Sequence, residues 1–259
     1  MTASAAPPPP SVLHRLTGLL ARLGRWLCNV LLFFFIAWAA LAIHFSNLPW
    51  PAVRTLLAIA FFAFAVYALW ITSRAKWRWA FIAAFSAVVV WHGSIQPSNN
   101  RPWRPEVAHP PRAIIDGDRV RLTNYRHFLY RSHDDFDVRY EERVVDLSRL
   151  VSMDLLISYW VVGPVAHTFV SFNFDDGSPP VCISIETRPE VGEGFDPLAS
   201  LFKQFELVYV VGDERDIVRV RTDHRDEEVF LYRLRARTEG VRDFFRLYLE
   251  RLNSLADKP

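Results

Sequence analysis

Three apolar runs open the chain, and short alternating segments follow them. Trp26–Phe45 ("WLCNVLLFFFIAWAALAIHF") carries no charge and reaches the ~20 residues that a bilayer core requires. Leu56–Ile71 is slightly short and is extended by Trp50, Pro51 and Val53. Ala80–Trp91 spans only with Trp77 and Trp79 at its edge, and a re-entrant or interfacial segment is the alternative. Beyond residue 112 the period drops to two. "RAIIDGDRVRLTNY" alternates around Asp116-Gly117 and predicts a hairpin. Residues 137–147 and 152–161 predict strands, and "AHTFVSFNF" with "VCISIE" predicts a second hairpin around "DDGSPP". A short helix is expected over 195–206, then strands over 207–211, 216–222 and 228–235. Val241, Phe244, Phe245, Tyr248 and Leu252 recur at helical spacing between Thr238 and Ala256, with Thr238 placed to cap the helix.

The pattern divides the chain into a disordered cytoplasmic N-terminus (1–25, proline-rich over 1–11), a three-helix transmembrane anchor (26–92), a linker (93–112) and an α+β domain (113–259). The expected fold is N-terminal transmembrane helices followed by an antiparallel sheet with helices. Charge sharpens this division. Residues 1–92 hold seven Lys and Arg and no acid, whereas residues 93–259 hold 23 Lys and Arg against 28 Asp and Glu. An acid-free, tryptophan-rich first third is a membrane composition. Arg15, Arg22 and Arg25 precede the first run, and Arg74, Lys76 and Arg78 follow the second. Positive loops stay cytoplasmic. With three spans everything after Gly93 lies outside, and with two the polar domain would lie inside. The first run is too long for a signal-peptide core, and further runs follow it. The acidic balance of the polar domain disfavours nucleic acid as a partner. Cys182 is the single cysteine after Gly93, so no disulfide can form within that part, and Cys28 reads as a lipid-facing or helix-packing thiol.

The candidate chemistry sits in the second hairpin. Thr168, Val170, Phe172 and Phe174 share one face of its first strand, and Val181, Ile183 and Ile185 share one face of its second. Pairing these sets puts Phe174 opposite Val181, Phe172 opposite Ile183, Ser171 opposite Ser184 and Phe169 opposite Glu186. His167 and Glu186 then become diagonal neighbours on the polar face. A carboxylate there would fix the imidazole tautomer, which is the role of the third member of a nucleophilic triad. The plainer reading is a surface histidine near a surface glutamate. Cys182 falls on the same face, but it is placed mid-strand near the turn and reads as a small filler rather than a nucleophile. "SHDDFD" (132–137) and "DHRDEE" (223–228) have neither zinc spacing nor a calcium-loop glycine, so no metal and no cofactor is expected. "VGDERD" (211–216) and "RTDHRDEE" alternate charge sign, which predicts a salt-bridged surface. No glycine-rich phosphate loop and no Gly-x-Ser-x-Gly elbow occurs.

Several phrases together are more specific: "NYRHFLYRS" (124–132), "YWVVGPVAHTFVSFNFDDG" (159–177), "SIETRPEVGEGFDPLASLFKQFELVYVVGDERD" (184–216), "VRVRT" (218–222) and "VFLYRL" (229–234). Over about Asn124 to Pro259 the chain resembles the Lnb N-terminal periplasmic domain family, whose inner-membrane anchor the leading helices also resemble. The resemblance implies a bacterial inner-membrane, multi-pass protein with its C-terminal domain in the periplasm. It also implies a fold like a circularly permuted papain-like (NlpC/P60) enzyme, incomplete at its C-terminus. It further implies thiol-dependent acyl transfer, with a bacterial lipoprotein as acceptor and a phospholipid as acyl donor. The family's Ala-His-Thr matches Ala166-His167-Thr168, so His167 would be the general base. Glu186 is the candidate orienter by the hairpin argument, and Ser184 is a second one. The family's Asn-Cys-Thr-Thr segment, which carries the nucleophile, would lie after Pro259, so the chain is either a fragment or a natural truncation. Two other readings stay open: a non-catalytic domain that binds envelope proteins, and a cysteine peptidase or amidase acting on cell-wall peptide.

Overall fold

The computed structural model describes residues 12–161, 163 and 165–259, with side chains from residue 17 onward. The proline-rich stretch 1–11, read as disordered, lies outside the described residues. The chain forms two compact units: one runs to Ile95 and includes Leu201–Gln204, and the other comprises Gln96–Ser200 with Phe205–Pro259.

In the first unit, α1 spans Val12–His44, α2 spans Pro51–Val66 and continues as a π-helical turn through Ile71, and α3 spans Ala75–Ser94. Helix α1 starts well before the apolar run because "VLHRLTGLLARLG" is rich in helix-forming Leu, Arg and Ala. Pro51 opens α2, where a missing N–H costs nothing. The helices meet through small side chains. Ala39, Ala42, Ala58, Ala65 and Ala68 are buried together with Ile36, Ile43 and Phe61, and small residues let backbones approach closely. The large apolar side chains, among them Phe34, Leu56, Ile59, Trp79 and Val90, point outward. Thr17–His44 and Pro51–Ile71 are long and apolar enough to cross a membrane, and only 22% and 17% of their most apolar windows are buried. A core helix of a soluble protein would be mostly buried. Helix α3 falls short of that measure, since its apolar part, residues 80–91, rises only ~18 Å.

The second unit holds β1 (Arg112–Asp116), β2 (Arg119–Arg126), β3 (Leu129–Tyr130), β4 (Phe136–Asp137), β5 (Tyr140–Asp146), β6 (Leu150–Tyr159), β7 (His167–Phe174), β8 (Val181–Arg188), β9 (Glu206–Gly212), α4 (Glu214–Ile217), β10 (Glu228–Arg233) and α5 (Thr238–Asp257). Among the described residues one sheet runs β1-β2-β9-β8-β7-β6-β10, with β5 also on β2, and β3 and β4 form a separate ribbon. Its pairs are antiparallel except for a parallel contact of Arg126 with Gly212. Gly212 is required there, because a Cβ would stand 2.5 Å from the Arg126 carbonyl oxygen.

Helix α5 covers one face of the sheet. Val241, Phe245, Leu249 and Leu252 pack with Val170, Phe172, Phe174, Val181 and Ile183, and the Phe172 and Phe245 rings lie 4.6 Å apart. Arg237, not Thr238, occupies the N-cap position, and no side chain caps this helix. The expected helix over 195–206 shrinks to a 3₁₀ turn, Ala199–Phe202, because Pro197 and the Asp196 side chain, whose Oδ1 accepts from the Leu198 and Ala199 amides, hold the preceding residues in a turn.

The larger correction concerns 216–222, where alternation predicts a strand. The chain instead forms α4 and then a π-helical turn, Val220–His224, which covers the second face of the sheet. Asp216, Ile217, Val220 and Arg221 are buried there. That is a helical stripe, hidden from a hydrophobic count because two of its four members are charged. Asp213, 4% exposed, caps α4 by accepting from the Arg215 amide at 2.8 Å. The "VGDERD" segment is therefore partly core rather than a salt-bridged surface. Residues 99–111, read as linker, also lie against this unit. Trp103 and Val107 are buried, and the Arg188 guanidinium sits 4.5 Å from the Trp103 ring while donating to the carbonyls of Val107 and Ala108.

Candidate functional site

The hairpin of β7 and β8 keeps the faces that its pattern predicts, but its strands are slid by two residues. Val170 faces Ile183, Ser171 faces Cys182 and Phe172 faces Val181. A two-residue slip preserves every face, so apolar patterning alone could not choose between the registers. The partner strands do. Phe174 pairs with Leu150 on β6, and Ile183 pairs with Val211 on β9. The slip brings Glu186 closer to His167 than the diagonal expected from sequence.

His167, Ser184 and Glu186 come together on the face covered by α4 and the π turn. His167 Nε2 lies 2.7 Å from Ser184 Oγ and 3.3 Å from Glu186 Oε1. The Ser184 hydroxyl donates to Glu186 Oε1 at 2.6 Å. Since that proton is committed to the carboxylate, Ser184 Oγ accepts from Nε2–H, and the neutral ring keeps its lone pair on Nδ1. Ser184 is buried, which suits a relay and excludes it as an exposed nucleophile. The His167 ring stacks on Phe169 at 5.8 Å, so both its tilt and its tautomer are held.

Sequence reasoning missed a fourth member, Arg221. Its Nη2 donates to Glu186 Oε1 at 2.6 Å and its Nη1 to the Ile217 carbonyl at 2.6 Å. Its guanidinium lies 4.7 Å from the Phe169 ring, and its Nε is 3.8 Å from Glu227 Oε2. Glu227 in turn accepts from Ser158 on β6. Arg221 is 4% exposed, so both charges are paired in a largely dry setting. Burial by itself would raise the Glu186 carboxyl, but Arg221, then His167 and Ser184, outweigh it and hold that carboxyl well below the usual range. The signal that could have found Arg221 is its position four residues from Ile217 and five from Asp216, on the buried stripe.

Cys182 lies opposite Ser171, buried, with its thiol pushed up by burial. It is the filler that its mid-strand position implies. His167 and Glu186 keep 23% and 25% side-chain exposure, because residues 214–227 cover their face. Helix α5 lies on the opposite face and does not touch the pair. The "SHDDFD" loop is largely exposed, and Arg131 just before it pairs with Asp135 and Asp137. Among the described residues no group of three His, Cys, Asp or Glu is placed to hold a metal ion.

Apolar helices with outward-facing large side chains, followed by a mixed α+β domain holding a partly buried His–Ser–Glu–Arg network, define a membrane-anchored protein with a polar domain. Residues 136–259 match the family model of the Lnb N-terminal periplasmic domain. Over that stretch the chain is similar to a family described as a periplasmic domain. The match begins at Phe136, later than the resemblance from Asn124, and leaves β1, β2 and β3 of the same unit outside it. No curated protein and no solved structure matches the chain.

Proposed function

We propose that His167, Ser184, Glu186 and Arg221 are the base and orienting half of a thiol-dependent acyl-transfer site in a multi-pass bacterial inner-membrane protein. The observation that carries this reading is the position of His167 Nε2, 2.7 Å from Ser184 Oγ and 3.3 Å from Glu186 Oε1. Nε2 is committed to Ser184 and Glu186, so Nδ1 is the nitrogen that receives a proton from a nucleophile. The thiol is supplied from outside the described residues, since Cys182 is buried and Cys28 belongs to α1. The thiolate attacks an ester carbonyl of a phospholipid, and the alcohol leaves with the proton held at Nδ1. A lipoprotein amine then attacks the thioester, returns the thiol and yields an amide. The arrangement fits a circularly permuted papain-like fold, in which the histidine strand precedes the nucleophile.

The test uses the protein as its gene encodes it, with phosphatidylethanolamine vesicles and a diacylated lipoprotein whose N-terminus is read by mass spectrometry. His167→Ala should lower N-acylation on the order of 10²–10⁴-fold. Undiminished acylation would remove His167 as the base. No acylation by the unaltered protein would favour a second reading, a non-catalytic domain binding envelope proteins, which the burial of Cys182 also fits.

A further inference from the structure

His167 is flanked by two strands of the sheet. Ser158 on β6 pairs with it, and Glu186 on β8 lies 3.3 Å from its Nε2. Each of these neighbours holds one end of the segment that covers the site. Glu186 accepts from Arg221 Nη2 at 2.6 Å. Ser158, fully buried, donates to Glu227 Oε2. The two ends are also tied to each other. The Glu227 amide donates to the Arg221 carbonyl at 3.0 Å, and Arg221 Nε lies 3.8 Å from Glu227 Oε2. Asp226 turns the chain back between them with φ 52°, a left-handed conformation that aspartate tolerates better than most residues. Strand β10 begins one residue after Glu227, with Glu228 paired to Tyr159, so the sheet edge fixes where Glu227 sits.

The contacts close a ring that runs His167, Ser158, Glu227, Arg221, Glu186 and back to His167. Within it Arg221 is shared by two carboxylates. The Glu227 side chain is 9% exposed, and a carboxylate in such a place is costly unless charges and hydrogen bonds face it. Its partners are Ser158, Arg221 and Arg225, the last at 3.9 Å and itself 34% exposed, so water screens that contact. Ser158 and Arg221, the two buried partners, both lead to the site. Without Glu227, Arg221 would be free on one side and the covering segment would be untied from β6. Glu186 would then lose the fixed donor that holds it beside the imidazole.

We propose that Glu227 is a positioning residue for His167: anchored on Ser158, it holds Arg221 in place, and Arg221 holds Glu186 against the ring. Glu227 acts through Arg221 rather than on the reacting atoms. Its kinetic consequence rests on the reading of His167 as the base, whereas its effect on the imidazole does not.

The full chain, with nitrogen-15 in its histidines, is studied by nuclear magnetic resonance in phosphatidylethanolamine–phosphatidylglycerol nanodiscs, and comparison with His167→Gln identifies the His167 ring signals. The Nε2 proton, held at Ser184 and Glu186, should exchange slowly with water. Glu227→Ala should speed that exchange by about fivefold or more, whereas Leu249→Ala, which weakens the core on the opposite face, should leave it within about twofold. Where the unaltered protein acylates lipoprotein, Glu227→Ala should also lower kcat on the order of tenfold with KM unchanged. A smaller change in exchange, or an equal one in Leu249→Ala, overturns the proposal, as does an unchanged kcat. Absence of acylation by the unaltered protein would sink the base reading alone, and exchange would still decide the role of Glu227. If Glu227→Ala does not fold, Ser158→Ala, which cuts the anchor from the β6 end, is read against the same outcomes.

Discussion

The two units solve opposite problems with the same residue types. In the helical unit five alanines share the interior with a few larger residues such as Ile36 and Phe61, and most of the Phe, Leu and Trp side chains face outward. In the sheet unit Phe172, Phe245 and Leu252 lie inside, and charged side chains share the outside with apolar ones. The solvent sets the difference. Lipid offers no reward for burying a large apolar side chain, so close helix contact through small residues decides packing. Water rewards large-residue burial, so the sheet domain gathers volume between its layers. The sheet unit also buries charge, as Asp216, Arg126 and Arg221, and among the described residues the helical unit buries none.

That contrast can be broken at defined points. The largest effect should come from Asp216→Ala in the sheet unit. Asp216 is 1% exposed and accepts from Arg126 Nη2 at 2.6 Å and from the Phe128 amide at 2.7 Å. Its loss strands a buried guanidinium and should cost about 3–5 kcal/mol in urea unfolding of that unit. A loss below about 1 kcal/mol would mean that water already reaches the pair.

In the helical unit the rule inverts. Ala39→Leu inserts bulk where α1 meets its neighbours and should cost about 1–3 kcal/mol. Phe34→Ala, at a position 63% exposed, should change stability by less than about 0.5 kcal/mol in nanodiscs. Thermal unfolding of both variants reads the comparison. If Phe34→Ala proved the costlier, a protein surface rather than lipid would face that side chain.

At the site itself the effect depends on pH. The Glu186 carboxyl is held below its ordinary range in the folded chain. The stability it contributes is therefore complete above the unfolded value of ~4.3, and is lost as pH falls through the folded value. Glu186→Gln should flatten acid unfolding below about pH 4, followed by near-ultraviolet circular dichroism. An unchanged acid profile would mean that Arg221 does not hold the carboxylate.

The helices of the first unit, most strands and the face assignment of the β7–β8 hairpin were legible in sequence, because period and apolar length report which side of an element meets which medium. Register was not legible, because a slip of two residues leaves His167, Phe169 and Ser171 on the face they already occupied. The helical turns over Glu214–His224 were not legible either, for a different reason: Asp216 and Arg221 look like surface residues until their partners, Arg126 and Glu186, are seen to be 90 and 35 positions away. The proximity of His167 and Glu186 was inferred, whereas the relay through Ser184 and the brace from Arg221 were not.

By itself, the order of residues determined where the chain meets lipid and water, which faces its strands present and which side chains share a face with His167. These follow from local periodicity and from the transfer of side chains between media. Tertiary structure alone decided how far the hairpin slides, which charges are buried and which nitrogen of His167 is committed. Each of those depends on partners distant in sequence, and an opposite charge or a hydrogen-bond donor acts through space rather than along the chain.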